Sequence, residues 1–238
     1  MATIEDNIKD HIKKSLMSCL ESVASYFKPN ELAYYSAQCK NELQIRDRIA
    51  WELHQDITKE YGDQYVVRRE WAPPIKNNKR RVDLAILEME VNDEGVKVGV
   101  KKVVAMIEFK SHSIARPEPS YYGSEFHNDV EKMRVFKKSK EAGICKNADM
   151  YFVFLENGQD RKADDYESVL GFSQYQTPNC EYCRDGQIDD YLRVIESHWQ
   201  EFKNREPGIE IHAPKAIEIG EAYGYKQYVS PLLIEIKS

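Results

Sequence analysis

The chain is short of several things that would narrow its class at once. It has no apolar run of 18 residues, so no membrane-spanning helix is expected. Its first residues form a charged amphipathic pattern without an apolar signal core, so a secretory signal is not expected either. Cysteine is sparse and odd in number, at five, which argues for reduced thiols and a cytoplasmic setting over a disulfide framework. There is no glycine-rich phosphate loop, so no nucleotide fuel is expected. Internal repeats and low-complexity linkers are also missing. With 238 residues, a single α/β domain over 1–238 is the simplest expectation.

What is present is unevenly placed. The net charge is -6, yet residues 66–140 hold 16 Lys+Arg against 11 Asp+Glu, and the remainder holds 18 against 29. Local positive charge, more than the total, governs attraction to phosphate. Within that basic stretch lie two apolar, β-branched runs that read as buried strands, Arg81-Val-Asp-Leu-Ala-Ile-Leu87 and Val103-Val-Ala-Met-Ile-Glu-Phe-Lys110. Asp83 interrupts one, and Glu108 and Lys110 interrupt the other. Strand periodicity places Glu108 and Lys110 on one face. Ionised groups in such runs are costly unless paired or bound to a metal. Two carboxylates can hold a hard divalent cation, and a lysine beside them can orient a water, as phosphodiester hydrolysis requires. The alternative is a structural ion pair at a strand end.

Taken in order, Ile4, Ile8, Ile12, Leu16, Leu20, Val23 and Phe27 predict an amphipathic helix over residues 3–27. Pro29-Asn30 breaks it, with Asn30 placed to cap a second helix that runs to Gly62 with an interruption near 36–41. In that helix Glu42 and Arg46 fall on the stripe of Ile45, Ile49, Leu53 and Ile57, either as a site acid or as an i,i+4 pair. A strand at 64–71 follows, then a basic loop, then an antiparallel hairpin over 82–110 turned at Asn92-Asp-Glu-Gly95. A functional loop is expected at 111–124, a basic helix at 125–141, and a buried strand at 150–155 ended by Asn157-Gly158. Beyond it, short helices at 163–170 and 188–202 and strands near 209–213, 216–219 and 228–237 are expected.

The order of a helix with Glu42, a strand, a strand with Asp83, a strand with Glu108-Phe-Lys110, a helix and a strand resembles the PD-(D/E)XK nuclease superfamily. The resemblance covers residues 40–156, and the 1–30 helix and 160–238 lie outside it. Val82 stands where many members have proline, a position that shapes the chain and binds no metal. The resemblance implies a restriction-endonuclease-like mixed β-sheet flanked by helices, with core order αβββαβ, an N-terminal helix and a C-terminal α+β extension. It also implies a Mg²⁺-dependent deoxyribonuclease, with Mn²⁺ as substitute, acting on DNA in restriction, defence or repair, as a homodimer if both strands are cut. Asp83, Glu108 and the backbone carbonyl of Phe109 would ligate the metal. Lys110 would position the attacking water, and Glu42 would support the lysine or a second metal. Asp129-Val-Glu-Lys132 resembles an acid-lysine pair seen in several branches. The rival reading is a catalytically silent nucleic-acid- or protein-binding protein on the same fold; hydrolysis of RNA or of another phosphodiester is a third.

Lys79, Arg80, Arg81, His112 and Lys132 are the candidate nucleic-acid contacts, with Tyr121 and Tyr122 as stacking surfaces. Cys180-Glu-Tyr-Cys183 has metal-ligand spacing but no second pair to close a zinc site, and Cys145 reads as structural. Leu233-Ile-Glu-Ile-Lys237 repeats the acid-x-lysine spacing without an acidic strand before it, so it reads as an ordinary strand.

Overall fold

The computed structural model describes residues 4–38, 41–76, 78–113, 119–159, 199–200, 203, 208–212 and 216–237. Helices α1 (Ile4–Glu21), α2 (Glu31–Ala37) and α3 (Glu42–Tyr61) lead into strands β1 (Tyr65–Trp71), β2 (Val82–Val91) and β3 (Lys97–Ser113). Helix α4 (Pro119–Lys138) then crosses to β4 (Asp149–Gln159), and β5 (Ile209–His212), β6 (Ile217–Ala222) and β7 (Tyr225–Ile236) follow. The strands form one mixed sheet in the order β1-β2-β3-β4-β7-β5, with β6 also on β7. The β3–β4 pair is parallel and its neighbours are antiparallel. This is the α/β, restriction-endonuclease-like mixed sheet with αβββαβ core order, flanked by helices.

Strand alternation divides the apolar residues between two layers. Leu84 and Ile86 of β2 face a core with Ile8, Ile12 and Leu16 of α1 and Ile45, Ile49, Leu53 and Ile57 of α3. Ala85 and Leu87 face a second core with Phe126, Val130, Met133 and Phe136 of α4. Ion pairs also tie α1 to the sheet: Lys13 reaches Glu235 of β7 at 2.6 Å, and Glu5 meets Lys102 of β3 at 3.0 Å.

Several boundaries differ from the sequence expectation. The first helix stops at Glu21 and tightens into a 3₁₀ turn at Val23–Tyr26, where Ser25 Oγ donates to Ser22 O. The expected break between the second and third helices is present after Ala37. Asn30 does not cap α2 with its side chain: it sits in the left-handed region, and its Oδ1 accepts the Glu221 amide at 2.9 Å. Glu31 instead reaches back to the Lys28 amide. The expected 111–124 loop shrinks, because β3 runs to Ser113 and Pro119 opens α4, where its missing N–H costs nothing. Strand β4 runs through Asn157-Gly158, because Asn157 and Gly158 pair with Val229 and Tyr228 of the long β7. The expected helix at 163–170 and most of that at 188–202 lie outside the described residues, as do Cys180 and Cys183. Trp199 is buried beside Phe126 and Phe154.

Candidate functional site

The site begins with a strand that ends early. Strand β2 starts at Val82, and its terminal pairing with β3 is Leu84 with Ile107. Strand β3 continues to Ser113, still paired to β4 on its other side. Past Ile107, alternate backbone groups of β3 therefore face a notch instead of a neighbouring strand. Side chains occupy their places: the Phe109 amide donates to Asp83 Oδ2 at 2.7 Å, and the Ser111 amide donates to Glu42 Oε2 at 2.8 Å. Asp83 comes from the start of β2 and Glu42 from the first position of α3. Two acids far apart in sequence thus meet β3 on either side of Lys110. In an extended strand the carbonyl of Phe109 projects to the same edge as its N–H, toward the same notch.

Glu108 projects the other way, into the layer of α4, and is 2% exposed. Burial pushes its pKa up to about 8; Asp83 and Asp129 push the same way, and Lys132 opposes them. Lys132 Nζ lies 2.8 Å from Glu108 Oε1 and 2.9 Å from Asp129 Oδ1. Lys132 is thus the cation that faces this buried carboxylate. Lys110 Nζ lies 3.4 Å from the other oxygen of Asp129. The result is an alternating chain of charge, Glu108–Lys132–Asp129–Lys110, built between β3 and α4. Glu42 is also raised, by burial above all; the Ser111 amide and Lys110 pull it down, and Asp83 pushes it up.

Of the two readings of Glu42, the i,i+4 pair with Arg46 does not form. Arg46, 7% exposed, bonds to Asp47 and Glu70 and approaches Asp83 Oδ1 at 3.4 Å. Lys132, grouped from sequence with the phosphate contacts, is turned inward onto Glu108 and Asp129. Lys79, Arg80 and Arg81 are exposed. The side chains of His112, Tyr121 and Tyr122 lie outside the described residues. Sequence reasoning missed Asn41, Ser111 and Asn157, which knit the same strand end to α3. Their signal was weak, because Asn157-Gly158 has the form of a turn.

The donor set suits a hard divalent cation. Asp83, Glu108, Glu42 and Asp129 offer only oxygen, and Asp83 raises the pKa of both Glu42 and Glu108. Among the described residues, however, the one trio whose ligand atoms all lie within 4.8 Å of one another is Glu210, His212 and Glu235. That trio could hold a metal ion. Its carboxylates already have cations: Lys13 on Glu235 at 2.6 Å, and Lys237 on both Glu235 and, at 3.1 Å, Glu210. No family model, curated protein or solved structure matches the chain.

Proposed function

We propose that the protein is a metal-dependent deoxyribonuclease whose centre is the notch beyond β2. The observation that carries this reading is the convergence of Asp83, Glu42, Glu108 and Lys110 from three elements onto β3 beyond its last pairing with β2, with Glu108 buried beside Lys132. Asp83, Glu108 and the Phe109 carbonyl would hold Mg²⁺, or Mn²⁺ in its place, with Glu42 at the margin; a cation there supplies Lewis acidity to a phosphodiester. Lys110 then holds a water in line with phosphorus and stabilises the charge that develops on the phosphoryl oxygens. Asp129 fixes the ammonium of Lys110, and Lys132 opposes the upward pull of burial on Glu108. Lys79, Arg80 and Arg81 serve as backbone contacts at the mouth of β2, while acidic surface elsewhere discourages wrapping.

The test is cleavage of supercoiled plasmid with Mg²⁺ or Mn²⁺, beside EDTA and Lys110→Ala. Metal-dependent cutting that disappears in the variant is expected. Cutting that survives the variant would sink the assignment of Lys110. One observation favours a second reading, a non-cutting binding protein: each cation of the notch is already matched to a carboxylate. That reading predicts no cutting and no calcium binding by calorimetry.

A further inference from the structure

Three polar side chains tie the notch together from behind. Asn41, immediately before Glu42, is 0% exposed, and Asn157 of β4 is 5% exposed. Ser111 Oγ donates to Asn41 Oδ1 at 2.7 Å, and Asn157 Nδ2 donates to Ser111 Oγ at 2.7 Å. Asn157 Oδ1 accepts from Asn41 Nδ2 and, at 3.1 Å, from Ser36 Oγ of α2. The ring closes across α3, β3 and β4. Buried amides are retained only where their hydrogen bonds are made, so this ring permits one register between the first turn of α3 and the end of β3.

That register decides where Glu42 goes. The backbone amide of Ser111 donates to Glu42 while its hydroxyl is held by Asn41 and Asn157, so one residue presents both faces of the joint. Ser111 directly follows Lys110. We propose that Asn41, Ser111 and Asn157 form a positioning clamp that seats Glu42 on β3 and fixes the strand end carrying Lys110. The clamp touches neither substrate nor metal; it acts through Glu42 and Lys110. This inference rests on the nuclease reading for its kinetic consequence, though its geometric consequence is independent.

The test uses Ser111→Ala, which removes the hydroxyl and keeps the amide, Ser111→Thr, which keeps both, and Asn157→Ala. DNA cleavage is read as kcat and KM separately, and exchange of the residue 111 amide is read by NMR without DNA or metal. The clamp predicts a kcat loss on the order of 10- to 100-fold in Ser111→Ala with KM unchanged. It also predicts faster exchange at residue 111, while the Ile107 amide stays protected. Ser111→Thr restores both readouts. Asn157→Ala repeats the exchange result if it folds; if it does not, the serine pair carries the test. Unchanged exchange at residue 111 in Ser111→Ala overturns the clamp, whatever the kinetics. A wild-type protein that never cuts overturns the nuclease reading alone, and exchange at residue 111 still decides the clamp.

Discussion

Two strand ends carry the same acid-x-lysine spacing, Glu108-Phe-Lys110 on β3 and Glu235-Ile-Lys237 on β7, and the fold treats them oppositely. Lys237 bonds to Glu235 itself, and Lys13 arrives from α1 to complete the neutralisation. Burial pushes Glu235 up, but the two lysines more than reverse this and leave it below the ordinary carboxylate range. Glu210, directly opposite on β5, shares Lys237, so two carboxylates meet two ammonium groups. On β3, Lys110 turns away from Glu108 to Asp129, and Glu108 is left nearly closed off, with a pKa raised to about 8. Spacing along a strand therefore says little about chemistry. What separates the two is whether the carboxylate meets its cations at a partly exposed surface, where they outweigh burial, or in a closed layer, where burial outweighs its cation.

The largest expected effect exploits this difference directly. Lys110→Ala and Glu108→Gln should each lower DNA cleavage by at least ~10²-fold, the scale on which a positioned catalytic group acts. Lys237→Ala and Glu235→Gln should leave kcat unchanged. Equal losses at both strand ends would show that β7 shares in the chemistry or that both variants lose the fold. Metal binding gives a second contrast. Calcium affinity by calorimetry should fall on the order of 10- to 100-fold in Asp83→Asn and remain in Glu210→Gln. The reverse would move the metal to Glu210, His212 and Glu235, whose ligand atoms lie closer together.

Part of this contrast is legible in the amino-acid sequence. Asp83, Glu108 and Lys110 stand out because charge inside β-branched runs demands a reason, and the order of elements around them separates β3 from β7. The hairpin over 82–110 is readable because a turn signal lies between two apolar runs. Other features depend on distant partners. Asn157-Gly158 resembles a stop, yet β7 pairs straight through it, so the chain alone gives no sign of the clamp on Ser111. Lys132 belongs to a helix rich in lysine, and nothing local distinguishes the one that turns inward to Glu108. Periodicity reports which face a residue occupies; it does not report which partner a long polar side chain will choose.

Stability against pH should also run in opposite directions at the two glutamates, measured with EDTA to keep metal away. Glu108 binds its proton more tightly folded than unfolded, so its contribution is present below the unfolded pKa of 4.5 and is lost as pH rises through about 8. Glu156, buried and likewise raised to about 8, adds in the same window. Glu108→Gln should therefore flatten the decline in melting temperature between those values, removing a contribution on the order of a few kcal/mol. Glu235 has a lowered folded pKa, so its contribution is present above 4.5 and lost as pH falls through the folded value. Glu235→Gln should change the acid limb and leave the limb near pH 8 alone. A Glu108→Gln curve still as steep as the wild type would mean that Glu108 is ionised throughout and that Lys132 satisfies it fully.

The smallest effect is the most discriminating control. Lys237 is about half exposed, and its bonds to Glu235 and Glu210 lie where water and salt screen them. Lys237→Ala should cost roughly 1 kcal/mol or less by thermal or denaturant unfolding, and less again at high salt. Lys132 is nearly closed off, and its loss leaves Glu108 and Asp129 facing each other across a layer with little water. Above pH 8, where Glu108 is ionised, Lys132→Ala should therefore cost about 3 kcal/mol and be almost insensitive to salt. If both lysines proved equally cheap above pH 8, Glu108 would have to keep its proton there, and the two strand ends would differ in proton occupancy, not in how their cations are screened.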